Sequence, residues 1–380
     1  MMIHKKIIWP EWSVEAEVRA FLPGEGLPEY HAMIRLTDAA CSAQTQFERI
    51  EKAAGQLQKQ LPDAVPVWKR YFVSDAVNQV PFLNLNQGAT AVSIVEQPPL
   101  NGTKAAIWMY LAPGVRLSKD SQGATVMEHA SYRHLFHTQL HGLANGEAAQ
   151  TEAFFNQYIR HLAAQGCTLE KHCIRTWIYV QGVDIHYAGM VAARKACFER
   201  EGLTPQTHFI ASTGIEGRYI LPQTLAFMDA YAVQGLQPGQ IQYLYAPTHL
   251  NPTCEYGVTF ERGTAVHYGD RRHVFISGTA SINNRGGIEH PMDVVKQAGR
   301  MFENIQTLLA EADAGMEDVV YLIVYLRDIS DYQVMDSYLK ETCPQLPALI
   351  VRAPVCRSGW LVEAECMAIK QAADKRFEAF

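Results

Sequence analysis

The chain has 380 residues, 48% of them hydrophobic and 19% charged, and a formal charge of -6, which is the composition of a globular protein long enough for two or three cores. That acidic balance offers no basic face for nucleic acid, whereas an anionic small molecule needs only two or three placed arginines. The opening Met1 to Trp9 lacks the apolar stretch of a signal peptide, no run of about 18 apolar residues occurs, and the eight cysteines form no CxxC pair, so a cytoplasmic protein with reduced thiols and no membrane partner is expected.

Taken in chain order, three segments repeat one succession of elements. The first, residues 1–117, predicts a helix over 43–60, a strand over 67–75 and a closing pair over 89–96 and 104–111, with its second helix short or absent. The second, 118–237, predicts a strand over 132–140, a helix over 151–164, an apolar strand over 173–180, a helix over 187–201 and strands over 207–212 and 225–233. The third, 238–380, is the clearest. Paired strands over 256–268 and 273–278 precede a helix over 292–312, in which Val295, Ala298, Met301, Phe302, Ile305, Leu308 and Leu309 recur on one face. A strand over 319–328, a helix over 330–341 and strands over 348–352 and 361–368 close it, with Pro354 and Gly359 as breakers. The class is α/β (α+β), each unit a mixed sheet with two helices on one face. Three apolar sheet faces predict packing about a pseudo-threefold axis and, since the fusion supplies the trimer, a monomer.

The last unit resembles the Rid (YjgF-type) family in Phe275-Ile276-Ser277-Gly278, the helix segment 304–310, the strand 318–328 and Val362-Glu363-Ala364-Glu365. Members of that family are homotrimers with clefts between subunits, so the resemblance implies a covalent pseudo-trimer able to specialise one cleft. Its deaminating members carry an arginine after a Pro-Ala pair, whereas here Pro347-Ala348 is followed by Leu349, a departure that argues against imine or enamine deamination. A narrower likeness runs from about 170 to 370 through Gly278-Thr279-Ala280-Ser281-Ile282, Tyr256-Gly257-Val258-Thr259-Phe260-Glu261-Arg262-Gly263 and Val355-Cys356-Arg357-Ser358-Gly359-Trp360-Leu361-Val362-Glu363. These stretches are similar to the chorismatase and 3-hydroxybenzoate synthase family. That resemblance implies an acid at Glu363 acting on the enolpyruvyl ether of chorismate. It also implies the 3-hydroxybenzoate branch, through a cysteine at Cys356 and a small residue at Gly269.

The chemistry fits these residue types. Protonating a vinyl ether on carbon requires an acid that keeps its proton near neutral pH, which burial beside Trp360, Leu361 and Val362 provides, and strand alternation sets Glu365 on the same side to raise the acid further. The two substrate carboxylates call for guanidinium groups, and the candidates are Arg218, Arg175 and Arg262, with Tyr219 and Thr279 as further binding residues. The resemblance gives Cys356 the branch point, as nucleophile or proton donor, with its thiolate fraction set by neighbours such as Arg357. Read singly, each has a plainer role: a strand glutamate in an ion pair, a buried cysteine as filler, arginines at the surface, Thr279 and Ser281 satisfying backbone groups. A non-catalytic ligand-binding protein of the Rid type is the alternative, with an imine or enamine deaminase as the third reading. His129, His134, His137 and His141 invite a metal, but on a strand His134 points away from His137 and His141 and nothing completes a tetrahedral set, so no metal or cofactor is expected. The stretch 283–287 reads as a turn, without a phosphate-loop pattern.

Overall fold

The computed structural model describes residues 1–61 and 63–380, without the side chain of Tyr256. The first unit contains β1 (Met2–Trp9), β2 (Val14–Phe21), β3 (Glu29–Leu36), α1 (Ala43–Gln60), β4 (Ala64–Val73), α2 (Ala76–Gln79), β5 (Ala91–Glu96) and β6 (Ala105–Pro113). The middle unit follows with β7 (Arg116–Lys119), β8 (Thr125–His129), β9 (Tyr132–His141), α3 (Glu147–Ala164), α4 (Leu169–His172), β10 (Cys173–Val180), α5 (Val183–Arg200), β11 (Ala211–Glu216) and β12 (Ala226–Gln234). The last contains β13 (Ile241–Leu244), β14 (Gly263–His267), β15 (Arg271–Ala280), α6 (Val294–Glu311), β16 (Val319–Leu326), α7 (Tyr332–Thr342), β17 (Ala348–Arg352) and β18 (Val362–Gln371).

The three sheets share one topology, with orders β1-β2-β3-β6-β4-β5, β11-β10-β12-β9-β8-β7 and β13-β14-β15-β18-β16-β17. An antiparallel meander is followed by a parallel crossover pair at the edge, and the final strand of each unit inserts between them. These are Rid-like units, three in one chain. One side of each sheet carries its helices, as where Ala298, Met301, Ile305 and Leu308 of α6 are buried. The other sides meet around a common axis through aromatic contacts between units, including Trp68 on Trp177 at 5.1 Å, Trp108 on Tyr321 at 4.8 Å and Tyr231 on Phe275 at 5.6 Å. Such pairs add roughly 1 kcal/mol each beyond their area.

Two expectations are corrected here. The strand expected over 256–268 exists only as Gly263–His267; residues 253–256 form a 3-10 turn ended by Gly257 at φ 83°, which brings the wall residues 257–262 across to the middle unit. The strand expected over 207–212 begins at Ala211.

The axis is polar at one level. Glu29, His134 and His273 hold the same register position in β3, β9 and β15, and Glu29 accepts from Arg271 at 2.6 Å, from Tyr110 at 2.8 Å and bonds His273 at 2.8 Å. Burial lowers His31 and His134 to about 3 and His137 to about 4 from 6.5. The sign follows from proton counting: below pH 6.5 the unfolded chain takes up protons that these folded histidines refuse, so their stabilisation is present above 6.5 and lost as pH falls. The midpoint of urea unfolding should therefore drop between about pH 7 and 5, by a loss on the order of a few kcal/mol. A flat profile over that range would contradict it.

Candidate active site

The register assigns equivalent positions in the three units. Tyr325 pairs with Glu363, Tyr179 with Phe227 and Phe72 with Ala106, and the amides of Arg327, Gln181 and Ser74 donate to the carbonyls of Leu361, Leu225 and Lys104. Glu363 thus has Phe227 and Ala106 as its counterparts, and the acid is present once. By the same register Leu349 corresponds to Thr213 and Ser93, so no unit carries arginine at that position.

The cleft between middle and last units encloses a cavity of about 480 Å³, within the usual range for small-ligand sites. Glu363 stands at its floor on β18, opposite Ala280. Strand β15 bulges there: Ile276 faces Cys366 and Thr279 faces Ala364, so Ser277 and Gly278 together oppose Glu365. A Cβ at Gly278 would run into Glu363 Oε1 and lie 3.1 Å from Thr213 Cγ2; glycine makes room for the carboxyl. Among the described residues that carboxyl takes no hydrogen bond. Burial first, then Glu365, raises it to about 8, against the opposing pull of Arg175 and Arg262. It is therefore largely an acid at neutral pH.

The other charged side chains on the described cavity wall are Arg194 and Lys195 of α5, Arg262 and Arg357. Arg262 Nη2 donates to Asn251 O at 3.0 Å and Oδ1 at 3.2 Å, Arg194 Nε to Thr259 Oγ1 at 3.2 Å, and Arg357 lies over the Trp360 ring at 4.9 Å. These contacts fix the cationic groups around an apolar middle of Val191, Val258, Phe260 and Ile282. Four cations against one neutral acid make the cavity a site for an anion with an apolar body.

Cys356 lines the same cavity, half-buried, beside Tyr187. Arg357 pulls its thiol down, but burial and then Glu363 outweigh it and push it up to about 12. At neutral pH the group is therefore a thiol with little thiolate.

The remaining sequence candidates fall elsewhere. Arg175 is buried behind the floor, donating to Glu365 Oε2 at 2.9 Å. Arg218, its side chain 54% exposed, pairs with Glu96 at 3.4 Å across the first and middle units, and Tyr219 packs on His141 at 4.7 Å and Phe227 at 5.0 Å, filling that cleft with aromatic rings. Thr279 donates to Ser277 O at 2.9 Å; alternation along β15 turns it from the cavity that its neighbours Gly278 and Ala280 line. Gly269 lies against the tail, where its amide donates to Glu378 O at 2.8 Å and a Cβ would come 3.0 Å from Ala379 N. Its smallness serves that backbone approach. The histidines diverge: His134 stacks on Tyr231, His137 meets Tyr158 edge-on and His141 meets Tyr219, and among the described residues no cluster of three metal-binding side chains forms. Among the described residues no helix is long and apolar enough to cross a membrane.

Sequence reasoning missed Tyr187, Arg194 and Lys195 as site residues. With Val191 they recur at the 3-and-4 spacing of one helix face, a signal that marks the face without saying that another unit covers it.

Against known proteins, the Endoribonuclease L-PSP family profile matches residues 263–370. A RutC family protein of Pyrococcus abyssi is 34% identical over 103 residues, 26% of this chain and 79% of its own length. The 3-aminoacrylate deaminase RutC of Acinetobacter baylyi is 26% identical over 72 residues, 19% of this chain and 57% of its own. Among solved structures a chorismatase superposes with a TM-score of 0.62, covering 80% of this chain and 92% of its own at 18% identity.

Proposed function

The chain belongs to the RutC family, and on that premise we propose that its one acid-bearing cleft converts chorismate, protonating the enolpyruvyl ether and releasing pyruvate with 3-hydroxybenzoate as the ring product. The observation that carries this reading is a single carboxyl held at about 8 on the floor of a cavity whose other charged walls are cationic. Chorismate is a dianion with an apolar ring. Its carboxylates are suited to Arg194, Arg262, Arg357 and Lys195, guanidinium groups taking them bidentately.

Glu363 delivers its proton to the terminal vinyl carbon, and the resulting oxocarbenium ion sits beside the new carboxylate, which offsets its charge. The neighbouring ring hydroxyl then attacks the ether-bearing ring carbon, so that pyruvate leaves with the ether oxygen and the hydroxyl proton returns to Glu363. The strained ring so formed opens at its other carbon, its oxygen taking a proton from Cys356, and the carbon that keeps the oxygen loses its hydrogen as a proton to that thiolate, giving 3-hydroxybenzoate. That sum contains every atom of chorismate and nothing more. Attack by water instead gives pyruvate and a dihydrodiol, with one water consumed. The Cys356 thiol lines the same cavity, and its proton, given to the oxygen of the opening ring, favours the first course.

Purified protein incubated with chorismate should release pyruvate, with the ring product identified by chromatography and mass. Unchanged chorismate would favour the non-catalytic reading, and ammonia release from imino acids would favour the deaminase. Cys356→Ala should keep pyruvate release while the dihydrodiol replaces 3-hydroxybenzoate. Undiminished 3-hydroxybenzoate from that variant would reduce Cys356 to packing.

A further inference from the structure

The acid of the last unit is seated by a residue of the middle one. Thr213 on β11 accepts from Arg175 Nη2 at 2.5 Å and from the bulge amide of Gly278 at 2.9 Å. Arg175 also holds Glu365, whose ring-side partner is Trp177 Nε1 at 2.8 Å. A chain of charge-assisted and neutral bonds thus runs from Glu365 through Arg175 and Thr213 to the one peptide whose missing side chain leaves space for Glu363.

The middle unit supplies an internal control. Its β9 has the same bulge, with Thr138 and Gln139 opposite Asp229, and Asp229 is the register counterpart of Glu365. There the bulge residue is Gln139 at φ 61°. Its amide goes to Asp229 Oδ1 in the same sheet at 2.9 Å, and Ser93, the counterpart of Thr213, bonds Asp229 rather than the bulge. The position opposite is Phe227. In the acid-bearing cleft the bulge residue is glycine and its amide crosses the unit boundary. The rewiring of the bulge and a carboxyl at the Glu363 position occur together, in one cleft of three.

We propose that Thr213 is a positioning residue, which holds the Glu363 carboxyl in its notch by fixing the bulge amide of Gly278 from the neighbouring unit. The inference rests on the catalytic reading for its kinetic consequence, while the seating itself does not. The groups that face Glu363 are Glu365 on its own strand, Arg175 on β10, Arg262 from the loop before β14, and Cys356 with Tyr187 across the cavity. Burial is the largest cause raising the carboxyl, so a carboxyl released toward the cavity returns toward the ordinary value of 4.5.

The test is Thr213→Val, which keeps the shape and removes the acceptor, beside Thr213→Ser, which restores it, and Gly278→Ala, which occupies the notch. Infrared difference spectra read the protonated carboxyl band directly and without substrate, the band being assigned by its absence in Glu363→Gln. In the parent it should titrate at about 8. In Thr213→Val and Gly278→Ala it should titrate at clearly lower pH, and Thr213→Ser should restore the parent value. If chorismate is turned over, kcat should fall roughly 10- to 100-fold in the first two variants with KM little changed. A Thr213→Val protein that is less stable but titrates as the parent does would overturn the proposal, whatever the outcome with chorismate. Loss of chorismate turnover in the parent itself would overturn the catalytic reading and leave the titration to judge the seating.

Discussion

Glu363→Gln is expected to fold as the parent does and to lose about a thousandfold in chorismate turnover, since positioned general acids contribute roughly 10²–10⁴-fold. The amide fills the Gly278 notch but has no proton to give to carbon. The parent's kcat/KM should be level at neutral pH and fall as pH rises through about 8, because the active form is the acid and that is where it is lost. The same group makes a thermodynamic prediction of opposite sense. Its pKa is 4.5 in the unfolded chain and about 8 when folded, so the folded state retains a proton that the unfolded state releases. Stability from this group is full below 4.5 and lost as pH rises through 8. Glutamine escapes that loss, and at about pH 8 the variant should be more stable than the parent by on the order of a few kcal/mol, the difference vanishing near pH 4. Urea titrations of the two proteins at both pH values check it. Equal stability at pH 8 together with normal turnover would remove Glu363 from the mechanism.

How far the sequence carried the fold is seen best in β16, where Val319 to Leu326 is buried at every position; a continuous apolar run leaves little choice. The meander of the first unit went unread for the opposite reason. Val14, Ala16 and Val18 alternate with Glu15, Glu17 and Arg19, a strand pattern, but nothing along the chain says what covers its charged face. In the folded chain Glu17 instead pairs with Arg35 at 2.7 Å, and Arg35 reaches the Ala348 carbonyl of the last unit. Glutamates that look solvated along one strand are interfacial once three sheets close on each other.

The site divides along the same line. Glu363, Cys356 and Arg262 lie within one unit, and the motif around them could place them together. Arg194 and Lys195 belong to a helix of another unit, and no spacing along the chain measures that distance. Arg218 was attractive as an arginine flanked by Gly217 and Tyr219, yet β11 carries it past the cavity to Glu96. Gly269 carried the resemblance's argument about a small residue, and its smallness turned out to admit the backbone of residues 377–379.

Arg175, expected from sequence to hold a substrate carboxylate, is instead expected to be costly to remove. It is 1% exposed and its partner Glu365 likewise; the remaining partners of that carboxylate are Trp177 Nε1, which donates at 2.8 Å, and the Arg70 guanidinium at 4.0 Å. Arg175→Met leaves a buried carboxylate with one neutral hydrogen bond and a distant cation, a change that costs roughly 3–5 kcal/mol. Replacing both partners, Arg175→Met with Glu365→Leu, removes the stranded charge and should recover most of that loss, since apolar pairs of similar volume often match a buried ion pair. Arg218→Ala supplies the contrast: its pair is exposed and worth at most about 1 kcal/mol. Arg175 also draws the Glu363 carboxyl downward, so in the single variant the alkaline limb of kcat/KM should move to higher pH even as the protein weakens. Urea midpoints and pH profiles of the three variants separate the two effects. A stable Arg175→Met protein with a raised KM and an unmoved limb would return this arginine to the substrate.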